Sequence, residues 1–209
     1  MKKSFLTPRG TAAAILCLLV VVSLTSCLDV ETSIRLDRNG TVETSLLYEM
    51  DAETAGFGRG FGADEPWPFP LTEKDFLQQS LRRPGTAVRR YRTGSESDGT
   101  EWIRIDLASE SVESLSAYLG LDMTVENTEK GGRMVLAFPV AESWDSAEAE
   151  LREAIGALAE ETSFSFRFRP PYRPADAGVG RIDGRWAVFE TSLSDLLSSG
   201  SPVEWTVSW

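Results

Sequence analysis

The chain has 209 residues, of which 42% are hydrophobic and 25% are charged. These values are typical of one or two soluble domains and exclude a disordered or polytopic membrane protein. The net charge of -11 disfavours nucleic acid as a partner, because such binding needs a concentrated basic surface. There is no histidine, and there are two cysteines. We therefore expect no disulfide framework and no metal site built from His or Cys ligands, and we expect no cofactor.

The N-terminal segment has the three zones of an export signal. Basic side chains come first, and residues 11–22 then form an apolar run that is too short to span a membrane comfortably. Leu24, Thr25, Ser26 and Cys27 follow directly. Small side chains before the cysteine allow an extended backbone to enter a peptidase cleft, and a thiol readily forms a thioether. The pattern predicts an exported and modified protein.

This ending resembles the lipobox of bacterial lipoproteins. The resemblance implies that the Cys27 thiol receives a diacylglyceryl group and that a peptidase cleaves between Ser26 and Cys27. Residues 1–26 are then a lipoprotein signal peptide. Residues 27–209 are a single domain, anchored by lipid to a membrane of the cell envelope and lying outside the cytoplasm. An uncleaved anchor helix and an ordinary signal peptide with a chance cysteine are the alternatives.

The rest of the chain predicts an α+β fold, an antiparallel sheet built from successive β-hairpins with helices between them packed on one face. Strands are marked by alternation of apolar and polar residues, most clearly in the first pair, where Val30, Ile34 and Leu36 share one parity. The predicted hairpins turn at Asn39-Gly40, Asp98-Gly99, Gly131-Gly132 and Asp183-Gly184. The predicted helices begin at Thr72, at Ser109 or Ser111, at Ser143 and near Leu193.

Residues 51–71 interrupt this pattern with a loop rich in Gly, Phe and Pro. Its section 56–70 has two interpretations. It is either a mobile aromatic lid that touches acyl chains or a partner, or an excursion whose Trp67 and Phe69 pack on the sheet. It is not a phosphate loop, because no Lys-Ser or Lys-Thr pair follows the glycines.

Arginines stand out against the acidic background in two clusters. They could bind a lipid headgroup or an acidic glycan, or they could pair with carboxylates on neighbouring strands. The clusters are Arg82, Arg83, Arg89, Arg90, Arg92 and Arg104, and then Arg167, Arg169, Arg173, Arg181 and Arg185.

Two further patterns also have a functional and a structural interpretation. Aromatic stripes are typical of core strands or of the wall of a ligand cavity, and they comprise Phe164, Phe166 and Phe168, and Trp205 and Trp209. Oxygen-bearing side chains occupy alternate positions around the first turn, namely Asp37, Asn39, Thr41 and Glu43. This pattern is compatible with either a calcium loop or an ordinary hairpin.

The layout of the mature chain resembles the LppM-type domain of bacterial lipoproteins. The shared features are an amphipathic strand directly after the lipid cysteine, an Asn-Gly turn and an α+β body. That family is associated with the cell envelope and with lipid-like ligands, and the resemblance transfers no binding residue.

These observations lead to three functional hypotheses. The first is a lipid-anchored envelope protein whose non-catalytic domain binds or scaffolds a partner. The second is a carrier of an apolar or lipid-like ligand, held in a pocket between sheet and helices. The third is a hydrolase that acts through paired carboxylates. We expect no enzyme and identify no catalytic residue, because without histidine no conventional triad can be assembled. An apolar cavity of a few hundred Å³ would favour the carrier, and an exposed apolar patch on a solid core would favour the adaptor.

Overall fold

A computed structural model describes residues 28–52, 55–56, 70–128, 131–138, 162–199 and 201–209. The predicted lipidation at Cys27, the cleavage site at Ser26 and the helix from Ser143 lie outside the described residues. So does nearly all of the loop at 56–70. These expectations stay predictions.

The described residues form ten strands and three helices. The strands are β1 (Leu28–Leu36), β2 (Val42–Met50), β3 (Thr86–Ser95), β4 (Glu101–Ser109), β5 (Asp122–Thr128), β6 (Gly131–Phe138), β7 (Thr162–Arg169), β8 (Arg181–Asp183), β9 (Trp186–Ser192) and β10 (Val203–Ser208). The helices are α1 (Glu73–Arg82), α2 (Val112–Leu119) and α3 (Leu193–Ser198).

The strands form a seven-stranded sheet in the order β3-β4-β2-β1-β7-β9-β8 and a three-stranded sheet in the order β10-β6-β5. The predicted α+β class and the antiparallel hairpins are confirmed. The structure adds two features to that prediction. β1 pairs in parallel with β7, and the hairpin of β5 and β6 joins β10 in a separate sheet.

Local sequence signals explain where the first elements begin and end. β1 and β2 pair in register from Leu28 with Met50 to Leu36 with Val42, and Gly40 closes the turn at a φ of 89°. Before α1, the Thr72 hydroxyl accepts a hydrogen bond from the Asp75 amide, and the Asp75 carboxylate accepts one from the Thr72 amide. This reciprocal capping box fixes the start of α1, as the sequence predicts.

The two sheets pack face to face through aromatic side chains. The rings of Phe138 on β6 and Phe166 on β7 are 4.8 Å apart between centroids. Phe189 on β9 and Trp205 on β10 stack at 5.7 Å. Because Trp205 is 1% exposed and its indole nitrogen donates to the Ala177 carbonyl at 3.0 Å, the last strand is part of the core.

The predicted turn at Gly131-Gly132 is wrong. Both glycines lie in β6, where Gly131 pairs with Thr128 and Gly132 pairs with Asn127 of β5. A Cβ on Gly132 would lie 2.4 Å from the indole ring of Trp209, so this glycine allows close packing of the C-terminal residue. A glycine pair can signal close approach of backbones as well as a turn, and the sequence pattern does not distinguish them.

The helices pack beside the sheets, and α1 and α2 also contact each other. α1 lies against β3, α2 lies against β3, β4 and β5, and α3 lies against β7 and β9. The Gln79 amide on α1 donates to the Tyr118 carbonyl on α2. In the part of the chain that the structure describes, no helix is both long enough and apolar enough to cross a membrane.

Candidate functional site

An apolar cleft of about 180 Å³ lies between the inner face of the large sheet and the helices α1 and α2. Residues of β1, β2 and β7 form its floor, and both helices and the segment after α2 form its walls. Its described lining consists of Val30, Thr32, Leu46, Tyr48, Pro70, Phe76, Gln79, Tyr118, Leu119, Leu121, Phe164 and Phe166. Strand alternation explains the floor, because Val30 and Thr32 share the inward face of β1.

Phe76 holds α1 over the sheet. Its side chain is fully buried, and its ring lies 6.4 Å from that of Tyr48 and 6.2 Å from that of Tyr91. The Tyr91 hydroxyl donates to the Leu71 carbonyl at 2.8 Å, just before the helix. These contacts fix the distance between α1 and the sheet and thereby define one wall of the cleft.

The described lining of the cleft carries no charge at neutral pH. Its titratable groups are Tyr48 and Tyr118. Burial, and then the neighbouring Tyr118, raise the pKa of Tyr48 well above its usual value. Burial also raises the pKa of Tyr118. The cleft therefore offers apolar surface and neutral hydroxyl groups, which suit a hydrocarbon chain better than an ion.

Only part of the first aromatic stripe reaches the cleft. Phe164 is half-buried and Phe166 is buried, and both line it. Phe168 lies instead against Trp209, at 5.7 Å between ring centroids. The core interpretation holds for Phe168 and Trp205, while Phe164 and Phe166 combine a core position with a place in the cavity wall.

Tyr118 and Gln79 line the cleft although no motif in the sequence marks them as candidate site residues. The helical pattern of α2 placed Val112, Leu115 and Leu119 on its apolar face. Tyr118 is nevertheless 1% exposed. Its spacing of three residues from Leu115 was the available signal, since residues three apart share a helix face.

Several arginines form the ion pairs that cross-strand pairing predicts. Arg92 lies 3.6 Å from Asp106, and Arg167 lies 3.7 Å from Glu31. Arg181 and Glu190 are 2.8 Å apart.

Arg83 has a different role at the C-terminus of α2. Its guanidinium donates to the carbonyl oxygens of Ala117 and Tyr118. A cation at this end of a helix compensates the unsatisfied carbonyls and the negative end of the helix dipole. The first arginine cluster therefore includes residues with separate structural functions.

The oxygen-rich first turn is held by an arginine. Arg35 lies 3.0 Å from Asp37 and 3.1 Å from Glu43. Asn39 accepts hydrogen bonds from the backbone and hydroxyl of Thr41. The structure therefore agrees with the hairpin interpretation. In the described ranges, no three potential ligands among Asp, Glu and Cys are placed to hold a metal ion.

Comparisons with known proteins give weak resemblances. No protein-family model and no curated protein matches the sequence. The chain is similar to the NMR structure of the folded domain of LppM from Mycobacterium tuberculosis, with a TM-score of 0.47 and 10% identity over 87% of this chain and 88% of that chain. It is also similar to the Fcho1 Mu homology domain of Danio rerio with bound Eps15 peptide, at a TM-score of 0.25 and 8% identity over 88% and 78% of the two chains. The LppM match agrees with the resemblance stated from the sequence, but neither match assigns a function.

Proposed function

We propose that the protein is a bacterial envelope lipoprotein whose non-catalytic domain binds an acyl chain of a lipid-like ligand. The observation that carries this function is the apolar cleft between α1, α2 and the large sheet. At about 180 Å³ it is smaller than most sites for whole small molecules. It is comparable to cavities of roughly 150 Å³ that bind a single benzene ring. A segment of one hydrocarbon chain fits this size and the uncharged lining.

The lipobox ending at Cys27 supports the anchor. Two acyl chains hold a protein stably at a bilayer, since each buried methylene contributes about 0.8 kcal/mol. The first described residue after the cysteine, Leu28, already pairs with Met50 in the sheet. The domain would then sit next to the membrane surface without a flexible linker.

The position of the cleft supports a ligand that comes from the membrane. Its floor includes Val30 and Thr32, which follow Leu28 by two and four residues on β1. Phe164 is the register partner of Val30 on β7. The cleft is therefore close to the end of β1 at which the anchor is attached, where acyl chains are available.

A partner-binding adaptor is the second candidate. Leu77 and Leu81 lie one turn apart on α1 and are 47% and 84% exposed. An exposed leucine pair on one helix face offers apolar surface that another protein could cover. The uncharged cleft favours the carrier.

Native mass spectrometry of the full chain, extracted in detergent from its bacterial host, tests both parts of the proposal. We expect a mature chain that begins at Cys27 and carries a covalent diacylglyceryl group, together with a non-covalent lipid. A mature chain without acylation would contradict the anchor. Absence of the second lipid would contradict the carrier, and a second polypeptide in its place would support the adaptor.

A cleft-filling variant makes the carrier test specific. Leu119→Trp replaces an aliphatic side chain of the cleft wall with a bulky indole ring. It should lower occupancy by the non-covalent lipid at least tenfold. Leu197→Trp on α3 is the matched control, because Leu197 is also half-buried but does not belong to the described lining. Equal occupancy in both variants would contradict the cleft as the binding site.

A further inference from the structure

We propose that a second, arginine-lined cleft binds a ligand bearing phosphate groups. This cleft has a volume of about 490 Å³ and lies at the opposite end of β1 from Leu28. Four arginines and a single carboxylate belong to its described lining, and these are Arg35, Arg38, Arg169, Arg185 and Asp37. Such a concentration of positive charge is notable in a chain with a net charge of -11. The proposal does not depend on the apolar cleft or on the lipid anchor.

The fold brings these arginines together from three separate segments. Arg35 near the end of β1 and Arg169 at the end of β7 are register partners in the parallel pair. Neighbouring strands are about 4.8 Å apart, so the two side chains leave the sheet side by side. Arg38 follows in the turn between β1 and β2, and Arg185 lies in the turn between β8 and β9.

The arginines of the cleft differ in how their charges are compensated. Arg35 is paired with two carboxylates, and the Arg38 guanidinium lies over the Tyr172 ring at 5.0 Å from its centroid. Arg169 and Arg185 form no ion pair with any residue that the structure describes. By contrast, Arg167, two residues before Arg169, is paired with a carboxylate.

Placing like charges next to each other destabilises a sheet. Arg35 and Arg169 nevertheless occupy directly opposed positions, with only Arg35 neutralised by described carboxylates. A bound anion would remove this repulsion and give Arg169 and Arg185 a shared partner. The geometry therefore favours a ligand over a purely structural arrangement.

The size of the cleft and the guanidinium chemistry indicate the class of ligand. A planar guanidinium forms paired, charge-assisted hydrogen bonds with phosphate oxygens. A volume of about 490 Å³ lies within the usual range for small-molecule sites and exceeds the needs of one inorganic ion. Pro170 and Pro171 are buried and supply an apolar part of the wall. A phosphorylated sugar or a similar organic phosphate combines these properties.

Calorimetric titration of the full chain in neutral detergent micelles tests the proposal. The soluble probes are glucose 1-phosphate and inorganic pyrophosphate, with glucose as the uncharged control. Titration with a water-soluble, short-chain phosphatidic acid, compared with the matching short-chain phosphatidylcholine, tests a lipid headgroup as the source of the phosphate. Vesicle flotation would not serve, because a lipid-anchored chain binds any bilayer. We expect binding of a phosphate-bearing probe, no binding of glucose, and no preference for the short-chain phosphatidylcholine over the phosphatidic acid.

Matched variants locate the site. The double variant Arg169→Gln/Arg185→Gln should weaken phosphate binding at least tenfold, because two charge-assisted contacts are lost. Arg181→Gln is the control. Arg181 is an exposed arginine on the neighbouring strand β8, it is paired with Glu190, and it does not belong to the described lining of the arginine-lined cleft. Its binding should change less than twofold.

Each outcome bears on the proposal. Binding of glucose 1-phosphate or pyrophosphate supports a soluble ligand, and binding only of the short-chain phosphatidic acid, in preference to the phosphatidylcholine, supports a lipid headgroup. The proposal is overturned if the soluble phosphates do not bind and the phosphatidic acid is not preferred. It is also overturned if Arg181→Gln weakens binding as much as the double variant, because a general electrostatic attraction would then explain the data.

Discussion

The Tyr118 hydroxyl on α2 donates a 3.1 Å hydrogen bond to the carbonyl oxygen of Phe76 on α1. The two residues are 42 positions apart in the chain, and both line the apolar cleft. This bond joins the two helices beside the cleft. The relative position of α1 and α2 therefore depends on a polar contact within apolar surroundings.

Tyr118→Phe removes this hydrogen bond and keeps the buried ring. We expect the free energy of unfolding to fall by about 1 kcal/mol, the usual net value of one intramolecular hydrogen bond. Urea denaturation at neutral pH measures the change. Tyr172→Phe is the control, because Tyr172 is 40% exposed, and it should change stability by less than about 0.5 kcal/mol. Equal effects of the two substitutions would contradict a structural role for the Tyr118 hydroxyl.

Alkaline pH should destabilise the protein through Tyr48. Burial, followed by the proximity of Tyr118, raises the pKa of Tyr48 above its ordinary value of 10.0. The folded protein therefore disfavours the ionised phenol more than the unfolded chain does. The resulting stability is fully present below about pH 10 and is lost as the pH rises towards the folded pKa, by up to about 1.4 kcal/mol per pH unit.

Tyr48→Phe tests this pH dependence. Urea denaturation at a series of pH values above neutrality should show a shallower loss of stability in this variant than in the unchanged protein. Tyr172→Phe again serves as the exposed control and should retain the full slope. Parallel curves for Tyr48→Phe and the unchanged protein would show that Tyr48 does not cause the alkaline loss.

Gly180→Ala should destabilise the edge of the large sheet. A Cβ at this position would lie 2.3 Å from the Val188 carbonyl oxygen and 3.0 Å from the Trp205 indole nitrogen. The segment before β8 would have to move away from β9, at a cost of about 1–3 kcal/mol in unfolding free energy. Gly56→Ala is the control, because a Cβ there meets no atom of the described residues within 4 Å. A denaturation midpoint for Gly180→Ala equal to that of the control would contradict the close approach.

Thr72→Ala should weaken the start of α1. The substitution removes the side-chain half of the capping box with Asp75 and should lower the unfolding free energy by about 1 kcal/mol. Lys74→Ala changes an exposed residue of the same turn and should have little effect. Thermal denaturation of both variants by circular dichroism measures the difference. If Lys74→Ala lowers the midpoint as much as Thr72→Ala, the cap is not the cause.

Elements defined by short-range signals were predictable from the sequence. The hairpin at Asn39-Gly40 follows from residues that tolerate positive φ, and α1 follows from Thr72 and Asp75. Alternation also placed Phe164 and Phe166 on one face of a strand. In each case the deciding interactions lie within a few residues of one another in the chain.

Contacts between distant segments were not predictable in the same way. The parallel pairing of β1 with β7 depends on which strand edge remains open after the hairpins form. That pairing alone places Arg35 beside Arg169. The apolar cleft likewise requires α1 and α2 to meet. Periodicity could therefore assign Tyr118 to the apolar face of α2 but could not place it in the cleft, and it could not locate the arginine-lined site.

The length of β1 has an electrostatic consequence. Its nine residues span about 26 Å from Leu28 to Leu36, at a rise of roughly 3.3 Å per residue. In an anchored domain with β1 along the bilayer normal, the arginine-lined cleft lies several Debye lengths from the headgroups, since one Debye length is about 8 Å at physiological ionic strength. Counterions then screen the anionic surface potential almost completely at that height. The anionic lipids would then not attract these arginines appreciably, and the arginines would keep their attraction for a dissolved anion.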